Sequence, residues 1–477
     1  MTRVAIQGGY YISRNLIANA QRCLNMYPEP NPPDSPVPFT DYPTPGSRTL
    51  ATYTGGGFRC LYTATNGELF AACGRRIYYI SPTWVATLLG TLNASNANMV
   101  AMADNGTTLL IVDGSADGYT VNLATHAFAQ IVDAAFYGGN SVAFSQTYFI
   151  LNKPGTGIFY SSNSNAVTFD PLWFATKITY ADRLGAVIVL NQEIWLLGSQ
   201  ASTEVWVDAG NPDFPFQKLP SVLINHGLAA TYSLAKIGSV LFWLSRDLNG
   251  QAVVLKGENY AGQKVSTFAI DAALAGYGTI SDAVGYTYQQ GGHQFYVLTF
   301  PTADKTWVFD VVTGLWHERC WIDGDGDEHR VRGNCMAFAY GLNVAGDWQT
   351  GVLRALDGSL DTDDGIGMKF VRSFPHMVAD GDRVTYRQFI ADMAVGTGVG
   401  PSTGIEPAVS LRWSDTRGVS WGNPITGAMG ALGEYLTQIQ FQRLGLGRDR
   451  VFELSWSGNG GATALNGAFV DSKVLGS

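Results

Sequence analysis

The sequence predicts an all-β chain: a β-propeller of about six or seven blades with an extended N-terminal arm and an additional C-terminal β-sandwich-like module. Three observations lead there. Of 477 residues 56 are glycine, 12% are aromatic and only 14% are charged, the profile of packed strands joined by tight turns rather than of disorder. Two aromatic and β-branched runs, His293 to Phe300 and Lys305 to Val312, flank a turn at Pro301 to Asp304, and a third strand begins at Trp316 after Gly314. The stretch from Gly292 to Arg319 therefore reads as one four-stranded blade, and its pattern recurs at a spacing of roughly 40 to 55 residues, the period of propeller blades.

Taken in order, residues 1–57 read as an N-terminal segment. Its opening, MTRVAIQGGYYISRN, lacks the charged, apolar and small-residue succession of a secretory signal, so export is not expected. The longest apolar runs, such as Gly185 to Leu190, fall far short of the roughly 20 residues of a membrane helix, and a soluble chain without a membrane-spanning segment is expected. From Tyr27 to Pro45 prolines are too dense for a helix or a central strand, which predicts an extended, polyproline-like arm. Such an arm is either a passive linker or a segment laid over a neighbouring subunit, since stiffened backbone loses less entropy on docking.

Residues 58–372 read as the propeller. Its repeats begin near Glu68, Thr107, Gln146, Gln192, Ser239, His293 and Asn334, each an apolar strand, a Gly-bearing loop and a second strand. A blade buries its faces only against its neighbours, so the ring has to close. Phe268 to Tyr277 can form a short helix, with Asp271 too late to cap it well. In residues 373–477 longer alternating strands follow Pro375: Val384 to Val395, Val409 to Trp413 and Arg450 to Trp456, with a Gly- and Ser-rich hairpin tip from Gly396 to Gly404. These predict a separate β-sandwich module.

Candidate chemistry is sparse. A net charge of −9 argues against a phosphate-gripping surface as the main business. The five cysteines, Cys23, Cys60, Cys73, Cys320 and Cys335, form no C-x-x-C pair and read as buried reduced thiols. Asp323, Asp325 and Asp327 alternate on a Gly-rich loop ending in Glu328, a composition able to bind Ca²⁺, but without the downstream bidentate Glu and helix of an EF-hand; a solvated turn is expected. His226 and His317 read as packed histidines, and Glu193 with Glu204 as carboxylates of a solvated sheet face rather than a catalytic pair. Ser414 to Trp421 is close to an Asp box, with Thr416 where that pattern has its Asp, and is expected to be a structural turn with the Trp packed beneath. No catalytic, cofactor or metal site is assigned.

Several segments in series carry a family resemblance: Ile17 to Glu29, Tyr42 to Gly46, Glu204 to Trp206 with Phe214 to Phe216, the Gly292 to Arg319 blade, and Arg443 to Phe452. Together they resemble the tail-nozzle proteins of short-tailed bacteriophages, also called packaged-DNA stabilisation or tail-hub proteins, over nearly the whole chain. The resemblance implies a non-enzymatic virion protein without cofactors, assembled as a homo-hexamer below the portal and head-to-tail adaptor. It implies a channel through which double-stranded DNA passes, DNA retention until ejection, and docking of tailspikes or tail fibres and of a needle or plug. It places the protein in the virion tail, and in the host cytoplasm during assembly. A net acidic, non-gripping surface suits such a channel, since phosphate contacts slow transit. The reading of a different class is a glycan-binding or glycan-hydrolysing β-propeller with a degenerate Asp box.

Overall fold

A computed structural model describes residues 1–6, 8–93, 98–211, 213–396, 407–458 and 464–475. Seven four-stranded antiparallel sheets follow one another along these residues. Their innermost strands are Phe58–Thr63, Ala101–Asp104, Val142–Ser145, Leu184–Leu190, Ala235–Ile237, Val284–Gln290 and Gly333–Ala339. Side-chain alternation explains how they pack. In Leu69–Cys73 every residue is buried, but Phe70 and Ala72 face Leu109 and Val121 of the second blade, while Leu69, Ala71 and Cys73 face Val344 and Leu353 of the seventh. Each neighbouring pair of blades shares such an apolar cluster, and the one between the seventh and first closes the ring.

Closure has a second component. The fourth strand of the seventh blade is Gly46–Thr52, antiparallel to Val352–Asp357, so a strand from the N-terminal segment completes the last blade. The repeats read from the sequence locate the second and third strands of most blades. The blade around His293 starts upstream of Gly292, with Val284–Gln290 as its first strand.

The C-terminal strands form two facing sheets. One holds Ile439–Gly447, Arg383–Met393 and Leu465–Leu475; the other holds Lys369–Ser373, Asp449–Ser457, Ala408–Ser414 and Ile425–Ala428. Phe389, Phe441 and Val470 face Phe452 and Leu454 across the gap, with the Phe389 and Phe452 ring centroids 5.0 Å apart. Most of the expected Gly396 to Gly404 tip lies outside the described residues.

Strands from the N-terminal segment join this unit too. Thr2–Val4 pairs with the C-terminal strand, and the proline-rich stretch is a paired hairpin, Met26–Pro30 against Phe39–Pro43, rather than a free polyproline-like arm. The prolines allow this because Pro28 and Pro30 occupy alternate positions of the strand at the sheet edge, where a missing N–H removes no ladder bond. Cys23–Leu24 lies between the outer strand of the sixth blade, Trp316–Arg319, and Lys369–Ser373. It makes one continuous ten-stranded sheet of the sixth blade and the second unit. Residues 1–57 are thus divided between the ring and the second unit.

The helix is Phe268–Ala275; Thr267 caps it by accepting the Ile270 N–H, and Asp271 instead accepts a 2.6 Å bond from Ser266 Oγ.

Candidate assembly surface

Several of the acidic side chains singled out in the sequence are held by protein donors. Glu204 is fully buried, which corrects its placement on a solvated face: it accepts from the amides of Ile178 and Thr179 at 3.1 and 2.7 Å and from Trp206 Nε1 at 3.0 Å. Burial pushes its pKa up, but these donors and Lys218 at 3.7 Å outweigh burial and hold it below the usual carboxylate range. Glu193 meets Tyr260 Oη instead, and the two carboxylates share no partner among the described residues. Burial lowers the pKa of His226, and lowers that of His317 further still, with Arg319 and His293 adding to the effect.

Asp323 Oδ1 accepts the amides of Asp325 and Asp327 at 3.0 and 2.9 Å, and its other oxygen meets His329 Nε2 at 3.2 Å. Glu328 turns inward to Arg22 and Lys369. Among the described residues no group of three or more His, Cys, Asp or Glu is placed to hold a metal ion. In the Asp-box-like turn Ser414 Oγ accepts the Gly418 amide at 2.8 Å, Thr416 Oγ1 accepts the Ser420 amide at 2.8 Å, and Asp415 pairs with Arg450. Trp421 is half-buried under the Arg412 guanidinium at 4.9 Å rather than packed beneath the turn. The cysteines are all free; Cys60 is half-buried and the other four are buried.

A seam the sequence reading did not identify holds ring and second unit together. Arg22 donates from Nη2 to Glu318 at 2.7 Å and to Glu328 at 2.6 Å. Asn25, fully buried with φ 56, accepts the Cys320 amide at 2.9 Å and donates to the Lys369 and Cys320 carbonyls at 2.9 and 3.2 Å. Arg372 lies 2.9 Å from Asp41 and donates to the carbonyls of Gly8 and Gly9. Burial raises the Asp41 pKa to about 6 despite Arg372, and neither carboxylate oxygen accepts a hydrogen bond from the described residues. The one available signal was the density of polar residues in Gln21 to Asn25 beside apolar neighbours, which does not identify their partners some 300 residues away in the sequence.

Two exposed surfaces offer contacts. The outer strand of the third blade, Phe169–Thr176, has no neighbour on its far side among the described residues; it exposes Leu172 and Phe174 and leads to exposed Ile178 and Tyr180. Unpaired backbone groups beside apolar side chains are a template for association. The second surface is the turn before Ile439–Gly447, where Leu432, Tyr435 and Leu436 are exposed.

A closed ring of antiparallel blades, joined by one continuous sheet to further C-terminal strands, defines a β-propeller protein. Its residues 3–361 match the family described as bacteriophage P22 Gp10, β-propeller. The chain belongs to that family of tail-nozzle and stabilisation propellers: it is a phage structural protein of the virion tail, acting in assembly with other phage proteins. No curated protein matches it. Similar solved structures include U3-55K (12% identity, TM-score 0.44, covering 66% of this chain and 99% of that one). The RRP9 WD40 repeats are another (11%, TM-score 0.43, 66% and 99%), as is the WD40 propeller domain of Doa1 (10%, TM-score 0.42, 66% and 97%).

Proposed function

We propose that the chain is the subunit of a tail nozzle, a homo-hexameric ring below the portal and adaptor that extends the channel for double-stranded DNA. The ring retains the packaged genome until ejection and docks tailspikes or tail fibres and a needle or plug; subunits assemble in the host cytoplasm. The observation that carries this reading is the family match over residues 3–361, which spans the ring and the N-terminal strands that lock it to the second unit. The continuous ten-stranded sheet supports it, because a part that transmits load between portal and tail fibres has to resist bending between its units. The net charge of −9 supports passage of DNA rather than grip.

The protein performs no catalysis in this reading. Glu204 is occupied by structural donors and His317 is sealed from solvent. The ring and the sandwich, the latter completed by N-terminal strands, are proposed as the two structural units. Subunits meet head to tail, one patch against a different patch on the next copy, which is how rings close. The outer strand of the third blade and the turn bearing Leu436 supply two such patches.

Mass in solution with and without adaptor-bearing portal tests the proposal. A discrete ring on the portal is expected, and Leu172→Asp with Phe174→Asp abolishes it while leaving the monomer folded. A protein that stays monomeric and never binds the portal overturns it.

A further inference from the structure

Between the sixth and seventh blades lies an open cavity of about 580 Å³, walled by Asp304, Trp321, Asp323, His329, Arg330 and Trp348, with Thr302 and Gln349 at its margin. Its turns, at Pro301 to Asp304 and after Asp347, come from neighbouring blades, and Trp321 and His329 come from a short antiparallel pair on the connection between them.

Arg330 is the unusual member. It is only 7% exposed, stacks on Trp348 at 3.9 Å, and its Nη1 is buried with no hydrogen-bond partner among the described residues. Arg332, stacked on Trp321 in the same way, is by contrast paired with Asp347. Burial lowers the Arg330 pKa to about 10, so it remains a cation near neutral pH. Trp348 Nε1 is a second buried donor without a partner among the described residues. Asp304, a carboxylate of the same wall, has both oxygens engaged: one accepts the Arg330 amide at 2.8 Å and the other meets His329 Nδ1 at 2.6 Å. A nearly buried guanidinium with unused N–H donors, at the wall of a cavity of ligand size, lacks an acceptor.

We propose that this cavity binds an acidic sugar, with the sugar's carboxylate on Arg330. Three features select that class. A guanidinium presents a planar fork that fits a carboxylate through two parallel bonds. Asp304 and Asp323 in the same wall repel a phosphate dianion more than a carboxylate monoanion, and their remaining lone pairs favour a ligand that also brings hydroxyl donors. Indole rings beside amide, hydroxyl and carboxylate groups give an apolar wall for a sugar ring and partners for its hydroxyls. The site does not depend on ring assembly.

Full-length protein titrated with glucuronate, following tryptophan fluorescence and heat, tests the proposal. Saturable binding is expected with glucuronate, and binding about tenfold weaker or worse with glucose, which lacks the carboxylate, and with succinate, which lacks the hydroxyls. Arg330→Lys keeps the charge and loses the fork, so a folded variant binds glucuronate about tenfold more weakly. Should that variant misfold, Gln349→Ala, at an exposed position, decides instead: a several-fold loss is expected. No saturable glucuronate binding to the native protein overturns the proposal, as does unchanged affinity in folded Arg330→Lys, or in Gln349→Ala when that variant decides. Inorganic phosphate binding as tightly as glucuronate overturns it too, since it shows a plain anion site.

Discussion

Replacing Asn25 by alanine tests the seam between ring and sandwich most sharply. Asn25 is the point at which the sixth blade, the strand Cys23–Leu24 and Lys369–Ser373 meet, and its side chain satisfies three backbone groups of two other segments. Alanine leaves the Cys320 amide without its 2.9 Å acceptor in a buried site, at about 1 to 3 kcal/mol. The carbonyls of Lys369 and Cys320 lose one donor each but keep a second lone pair, together about 1 kcal/mol. Asn25 is also left-handed at φ 56, a conformation that asparagine tolerates and alanine resists by about 1 kcal/mol. The sum is about 4 kcal/mol. Equilibrium urea unfolding, read by far-UV circular dichroism and tryptophan fluorescence, is the assay, and the expected result is a lower midpoint with the two probes no longer coincident as the units uncouple. Asn25→Gly removes only the backbone part of the cost and lies between. An unchanged midpoint in Asn25→Ala refutes the role given to the seam.

Other outcomes follow from particular contacts. Trp316 is 1% exposed, packs on Phe309 and donates from Nε1 to the Val265 carbonyl, so Trp316→Ala costs roughly 4 kcal/mol in the same unfolding assay. Asp41 has a folded pKa of about 6, above its unfolded value of 3.8, so its stabilisation is complete below the unfolded value and is lost as pH rises through about 6. Asp41→Asn therefore flattens a decline of up to about 3 kcal/mol in stability between about pH 4 and 6. Glu328 has the opposite sign: burial raises its pKa, but Arg22 and Lys369 outweigh that and hold it at about 2. Its contribution is present above the unfolded value near 4.5 and lost as pH falls through about 2, so Glu328→Gln weakens the protein at neutral pH but not in strong acid. Leu172→Asp with Phe174→Asp, both at exposed positions, shifts the monomer's urea midpoint by less than about 0.5 kcal/mol equivalent.

The blades were legible because their signal is local. A hairpin such as His293–Phe300 with Lys305–Asp310 announces itself through alternation and a turn within twenty residues of sequence. First strands such as Ala101–Asp104 and Ala235–Ile237 are short and lie apart from the strong hairpins, so they left little trace. Closure by Gly46–Thr52 and the insertion of Cys23–Leu24 are pairings across some 300 residues, for which no local pattern exists. The proline count of Tyr27 to Pro45 argued against a central strand but not against an edge strand, which is where Pro28 and Pro30 lie. Glu204 illustrates the limit for sites: its position beside Trp206 was visible, while the amides of Ile178 and Thr179 that bury it come from the preceding blade's connection.

Electron microscopy of the protein mixed with adaptor-bearing portal puts the central claim to its most direct test. The account predicts a ring coaxial with the portal, with an open axial channel wide enough for duplex DNA and the third-blade outer strand at the contact between copies. Single propellers that stay free of the portal, or a ring with its axis closed by the sandwich units, contradict it.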